Sequence, residues 1–229
     1  MAAAVQLARR LPTDHPRVGI LRGWNRTDRS RARMLRNRLI TQHGIHAVDL
    51  SPLPEAGQRH RAADEPERPR VDLLLHTGGA QSDHALRAAA LWSLPLLTPN
   101  RCDKGDGALN AFHARRRPVI GIRLPSGSHD IAVREAALHP VQPEAHTARL
   151  DLDDQTATVP LDQPVRITLT PEGMLEVRSE ALGVRRARHL RCEPDWGVFR
   201  LDVDGTPAHD FRAPLHLESL PGRLHLMCP

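Results

Sequence analysis

An α/β domain followed by a β-rich domain is the architecture that this 229-residue sequence predicts. Three observations carry the prediction. Near-continuous apolar runs, clearest at 18–21 and 71–76, alternate with helical patterns up to about Pro125, as in parallel sheets covered on both faces. Beyond Pro125 the grammar changes to short segments with two-residue alternation, as in Val165-Arg166-Ile167-Thr168-Leu169. The turn pairs Glu172-Gly173 and Asp204-Gly205 sit between such segments. The expected domains are 1–125, an α/β unit of nucleotide-binding type, and 126–229, a β-sandwich.

Taken in order, 1–10 holds a short apolar run with Arg9 and Arg10 behind it and reads as a frayed leader rather than a signal peptide. Residues 18–21, between Pro16 and Gly23, form a buried strand. A polar turn leads to a helix over 30–42, where Met34, Leu35, Leu39 and Ile40 fall at helical spacing and Gly44 is the stop. A second strand covers 45–50. Residues 51–70, rich in Pro, Arg, Glu and Asp, are a surface loop. The strand at 71–76 breaks at Thr77-Gly78-Gly79, and Ser82 or Asp83 caps the helix that runs to about Leu91. A strand at 94–97, a loop at 103–107, a short helix at 108–115 and a strand at 118–124 complete a doubly wound, Rossmann-like pattern. Strands are then expected at 131–138, 149–152, 165–169, 174–179, 189–192, 198–203, 215–220 and 224–227, forming an antiparallel sandwich or open barrel.

Composition limits the function classes. Hydrophobic residues make up 40% of the chain, enough for a real core. No run approaches the roughly 18–20 apolar residues of a membrane-spanning helix. Cys102, Cys192 and Cys228 are far apart and lack a CxxC pair, which fits reduced thiols in the cytoplasm. The net charge of +5 is arginine charge, since Lys104 is the single lysine. A solvated arginine surface accounts for it, and an anionic ligand is the alternative. Arginine clusters at 22–38 and 185–191 could touch nucleic acid, but aromatics are only 3% and no helix-turn-helix or zinc-finger spacing occurs, so nucleic acid is disfavoured.

Several residues could carry chemistry. Gly78 and Gly79 follow a buried strand and precede a helix, where a phosphate can approach the backbone at the carboxyl end of a parallel sheet. The bare pair reads equally as a simple turn. Asp103-Lys104-Gly105-Asp106-Gly107 sets the lysine between carboxylates and could meet a metal-bound phosphate. It lacks the strand–GxxxxGK[ST]–helix arrangement, so an ordinary acidic turn stands beside that reading. Asp204 ends a strand at a turn, where a carboxylate binds a cation or satisfies backbone N–H groups. The 14 histidines include no HExxH and no zinc spacing. His76, beside the glycine pair, is the one placed to act as acid or base. Ser126 and Ser128 near His129 and Asp130 lack a GxSxG elbow, which argues against a hydrolase triad.

In combination these segments resemble a known superfamily. Val71-Asp72-Leu73-Leu74-Leu75-His76-Thr77-Gly78-Gly79, with Leu86-Arg87-Ala88-Ala89-Ala90 behind it, resembles the stretch of diacylglycerol kinases and NAD kinases where a strand enters Gly-Gly-Asp-Gly-Thr. Leu201-Asp202-Val203-Asp204-Gly205-Thr206, then 214–226 with its Leu220-Pro221-Gly222 turn, resembles the closing segment of bacterial lipid kinases. Two positions depart from the family. Ala80 stands where the family has Asp, and Thr206 where lipid kinases have a general-base Glu. The Gly-Thr-x-Asn-Asp segment has no counterpart.

The resemblance implies an ATP- and Mg-dependent kinase acting on a hydroxyl of a lipid or small molecule. It points to Asp204 and His76 as catalytic, to Gly78, Gly79, Ser82 and Lys104 as nucleotide-binding, and to Asp83, Asp103 and Asp106 as metal ligands. The alternatives are a catalytically silent binding module of the same fold, an NAD kinase-like enzyme, or a nucleic-acid-binding protein. The expected location is the cytoplasm, with self-association left open.

Overall fold

The computed structural model describes residues 2–11, 13, 15–23, 25–50, 60–61, 68–77, 83–97, 113–141, 147–160 and 162–228. In chain order the elements begin with α1 (Ala2–Arg10), β1 (Arg17–Leu21), α2 (Arg26–His43), β2 (His46–Leu50), β3 (His60–Arg61), β4 (Leu73–His76), α3 (Asp83–Trp92) and β5 (Leu96–Leu97). There follow β6 (His113–Arg123), β7 (Ser128–Ala132), β8 (Glu135–Pro140), β9 (Thr147–Leu152), β10 (Gln155–Pro160), β11 (Val165–Leu169) and β12 (Leu175–Ser179). The chain closes with β13 (Gly183–Ala187), β14 (His189–Pro194), β15 (Phe199–Val203), β16 (Thr206–Phe211) and β17 (Leu215–Cys228).

Two compact units result. Unit 1 comprises Met1–Pro54, Glu67–Arg117 and Leu224–Pro229, and unit 2 comprises Glu55–Pro66 and Pro118–Arg223. The chain therefore changes unit at Pro118, not after Pro125, because the second part of β6 pairs with β7 within unit 2. The last residues return to unit 1, where β17 pairs in parallel with β5.

Unit 1 is a parallel sheet. β1 lies between β2 and β4, and β5 lies between β4 and the end of β17. β1, β4 and β5 are buried on both faces, with Val18, Ile20, Leu21, Leu73 and Leu74 fully inaccessible, while β2 at the edge is partly exposed. Near-unbroken apolar runs were the sequence sign of such strands. α2 begins a turn earlier than its apolar spacing suggested, because Asn25 caps it at Arg26. Gly44 ends it with φ of 65°, a left-handed conformation that glycine adopts without strain. The frayed-leader expectation for 1–10 is overturned: α1 is a helix whose Val5, Leu7 and Ala8 join the buried cluster of Val18, Ile20, Leu39 and Leu75.

Unit 2 is a two-sheet antiparallel sandwich. One sheet runs β10-β9-β14-β17, and β17 continues to β6, then β7, then β3. The other is six-stranded, β13-β12-β11-β8-β15-β16. Both inner faces share one core, including Ile120, Leu138, Leu150, Ile167, Phe199 and Leu215. The strand expected over 131–138 is two strands in different sheets, with the crossing at Val133 and Arg134. Conversely, the two strands expected over 215–227 are the single β17, which runs on through Leu220-Pro221-Gly222. Residue 113 onward is strand, not the end of a helix. Four strands that the sequence left unassigned, β3 within the expected 51–70 loop and β10, β13 and β16, all lie at sheet edges among the described residues.

Candidate functional site at the carboxyl ends of the parallel strands

Strand order in unit 1 reverses at β1. From β1 the chain crosses through α2 to β2 on one side, then returns to place β4 on the other. Such a switch point opens a crevice beyond the carboxyl ends of the two strands, because their connections leave in opposite directions. Leu21 and His76 are register partners at this end. The Thr77 backbone N–H and hydroxyl both donate to the Leu21 carbonyl, at 3.1 and 3.2 Å, and so tie the exit of β4 to that of β1. His76, half-buried, occupies the lip of the crevice.

The β1–α2 turn is built by two side chains. The Asn25 Oδ1 accepts from the Asp28 backbone N–H at 2.7 Å, and the Asn25 Nδ2 donates to the Asp28 Oδ2 at 2.7 Å. This reciprocal cap satisfies a helix donor that would otherwise lack a partner. Asp28 is 8% exposed and sits against Gly23, where a Cβ would come within 2.1 Å of its Oδ2. Glycine at 23 is thus a packing requirement. The sequence reading passed over Asn25 and Asp28; their spacing, Asn-x-x-Asp ahead of a helix, was the available signal.

α3 leaves the other wall. Asp83 lies in its first turn, half-buried, and Arg87 follows one turn later at 2% exposure within an otherwise Ala- and Leu-rich helix. An arginine so placed was concealed in sequence by its apolar neighbours, whose burial the helix shares on every side. Of the other expected site residues, Gly78, Gly79, Ser82, Asp103, Lys104 and Asp106 lie outside the described residues. Among the described residues no group of three His, Cys, Asp or Glu side chains could hold a metal ion.

Asp204 belongs to unit 2. It occupies the β15–β16 turn at φ of 51°, followed by Gly205 at 79°. Its carboxylate reaches across to the point where the chain passes from β7 to β8. The Oδ1 accepts from the backbone N–H groups of Val133, Arg134 and Glu135 at 3.0, 2.6 and 3.2 Å, and the Oδ2 accepts from Val133 at 3.0 Å. The sheet-switching residues cannot bond to either ladder there, and the carboxylate supplies the missing acceptors.

The serines considered for a triad are arranged otherwise. The Ser126 and Ser128 hydroxyls bond one another at 2.8 Å. The histidine against the Asp130 carboxylate is His209, with Nε2 to Oδ2 2.7 Å, both groups buried between the sheets.

With this geometry established, comparison with solved structures is decisive for the fold. A yeast NADH kinase complexed with NADH aligns over 95% of this chain and 84% of its own, with a TM-score of 0.61 and 14% identity. A putative diacylglycerol kinase from Bacillus anthracis str. Sterne aligns over 95% and 98%, with a TM-score of 0.57 and 12% identity. The chain has the fold of the NAD kinases and diacylglycerol kinases. An NAD kinase from Archaeoglobus fulgidus in complex with ATP gives the same result, covering 93% of this chain and 92% of its own at TM-score 0.57 and 12% identity. No protein-family model matches the sequence, and no curated protein matches it. The shared fold is thus seen at 12–14% identity.

Proposed function

We propose that this chain binds a nucleotide of the ATP type in the β1–β4 crevice and transfers its terminal phosphoryl group to a hydroxyl of a lipid or small molecule. The observation that carries the reading is the switch point itself, with the glycine pair following β4 and Thr77 in sequence and α3 beginning at Asp83, four residues after Gly79. Two solved structures of this fold are complexes with NADH and with ATP, which supports a nucleotide as ligand.

In this reading Gly78, Gly79 and Ser82 hold phosphates and Lys104 neutralises them. Asp83, with Asp103 and Asp106, supplies the hard oxygen donors that suit magnesium. Asp83 fits the role, standing in the first turn of α3 immediately beyond the glycine loop. The ion contributes charge neutralisation between the phosphates. His76 at the crevice lip takes the proton of the attacking hydroxyl. Asp204 acts through the backbone it holds and not on the substrate. The closing segment leans towards the lipid kinases for the acceptor.

A second reading, a catalytically silent nucleotide-binding module, draws support from the commitment of Asp204 to three amides and from Ala80 and Thr206 at positions where the kinases carry carboxylates. Calorimetric titration with ATP, with and without Mg²⁺, tests both, followed by single-turnover release of labelled γ-phosphate. Binding strengthened by Mg²⁺, lost in Gly78→Val and weakened in Asp83→Asn, is expected. Binding without turnover in the presence of acceptor extracts selects the silent module. Absence of binding under either condition refutes both.

A further inference from the structure

The amino ends of the same parallel strands frame a second cleft, of about 520 Å³, wholly within unit 1. His15, Arg17, Arg68 and Arg70 line it, with Asp72 as the one carboxylate. Asp72 is already engaged: its Oδ2 accepts from the Arg17 backbone N–H at 2.9 Å, while its own N–H donates to the Arg17 carbonyl at 2.8 Å. These two bonds fix the first residue of β1 against the approach to β4. The Val71 N–H closes a tight turn on the Pro69 carbonyl at 2.7 Å, centred on Arg70, so the backbone from Pro69 to Val71 is held. Among the described residues none of the three guanidinium groups forms an ion pair.

Three arginines line this one cleft, and a bound anion would offset their mutual repulsion. Arg36 of the same unit is paired with Asp49. Among the described residues lining the cleft the acid is Asp72, and its Oδ2 is taken by the Arg17 backbone N–H. Guanidinium forks match phosphate oxygens two at a time, and three of them exceed what a single phosphate monoanion needs.

We propose that this cleft is a binding site for a pyrophosphate group, either free or as the diphosphate of a nucleotide, separate from the nucleotide crevice at the other end of β1 and β4. Arg70 from the held turn and Arg68 beside it grip one phosphate, and Arg17 takes the second. Asp72 is a positioning residue that orients Arg17 through its backbone. The cleft volume accommodates pyrophosphate with room for an attached nucleoside.

The test is an amide-resolved NMR titration of the full chain with inorganic pyrophosphate, orthophosphate and ADP. Expected are saturable shifts at the amides of Arg17, Arg70, Val71 and Asp72, with pyrophosphate binding more tightly than orthophosphate. The double variant Arg68→Gln, Arg70→Gln removes two charge-assisted contacts, and its affinity falls by about tenfold or more, with a shallower salt dependence. Its unshifted core amides show that it folds. Gly78→Val leaves these shifts intact, so failure of the nucleotide crevice and failure of this site are separable. ADP and pyrophosphate binding equally identify the bare diphosphate as the recognised group, and tighter ADP binding identifies a nucleotide. No shift at these four amides at millimolar pyrophosphate, or the same affinity in the double variant, overturns the proposal.

Discussion

Replacing Asp204 separates architecture from catalysis. Its Oδ1 accepts three backbone N–H groups and its Oδ2 repeats one of them. Hydrogen bonds to a charged group are each worth about 1.5–3 kcal/mol, but Arg134 is exposed and water recovers part of the loss there. Asp204→Ala should therefore destabilise unit 2 by about 3 kcal/mol, including about 1 kcal/mol for placing alanine at a left-handed φ. Asp204→Gly avoids that strain and should cost about 2 kcal/mol. Asn tolerates the same φ and can place its carbonyl where Oδ1 stands, so Asp204→Asn should cost only about 1 kcal/mol. Urea unfolding gives the three values, and thermal unfolding should follow at about 2–4 °C per kcal/mol for a chain of this length. The order Ala, Gly, Asn is the signature of a backbone clamp. Equal stability in all three variants, with ATP turnover abolished in Asp204→Asn, would refute this reasoning and return Asp204 to the substrate.

Leu7→Ala removes a side chain from the unit 1 core and should destabilise by about 2–4 kcal/mol in urea, whereas a frayed leader would show no change. The Asp151 carboxyl is held below its ordinary value first by the Thr156 hydroxyl, with Arg149 and Arg191 adding to it. A lowered folded-state pKa gives stability that is present above the ordinary carboxylate range and is lost as pH falls through the folded value. Thr156→Val should accordingly reduce stability near neutral pH and leave it unchanged in strong acid, as read by urea midpoints across pH. Burial pushes the Cys192 thiol up to about 12, so mass spectrometry of alkylated peptides should find Cys192 unmodified in the native protein at mildly alkaline pH and modified once urea unfolds it.

How far the sequence discloses this fold depends on burial. β1 and β4 of unit 1 are covered on both faces, and their apolar runs announced them. β11 and β15, interior strands of the six-stranded sheet, announced themselves by alternation. β10, β13 and β16 did not. Each is an edge strand with one side of its backbone unpaired, and each carries what guards such an edge: threonines and a terminal proline in β10, two arginines in β13, a proline at the second position of β16. Those residues erase the alternation that would mark a strand. The crossing from β7 to β8 stayed hidden for another reason: apolar residues stand on both sides of Arg134-Glu135, while the change of sheet depends on a carboxylate some seventy residues away.

The closing segment shows why fold outlasts chemistry in such a sequence. The tail, 201–206 with 214–226, was the more specific match to lipid kinases, and the expectation was that Asp204 is catalytic. The structure gives that carboxylate a structural task, accepting three backbone N–H groups where the chain crosses between sheets. Folding alone therefore gives Asp204 a reason to be there, whereas Thr206, at the position where the resemblance to lipid kinases would set a glutamate, has no such bond. The same logic applies to Gly23, kept by the Asp28 carboxylate against it, in a turn that needs no ligand to require glycine. Residues retained by packing identify the fold; those that touch only substrate decide the activity. In this chain the test falls on His76, Asp83 and the glycine pair, which is why the ATP titration must be run on variants at those positions and not at Asp204.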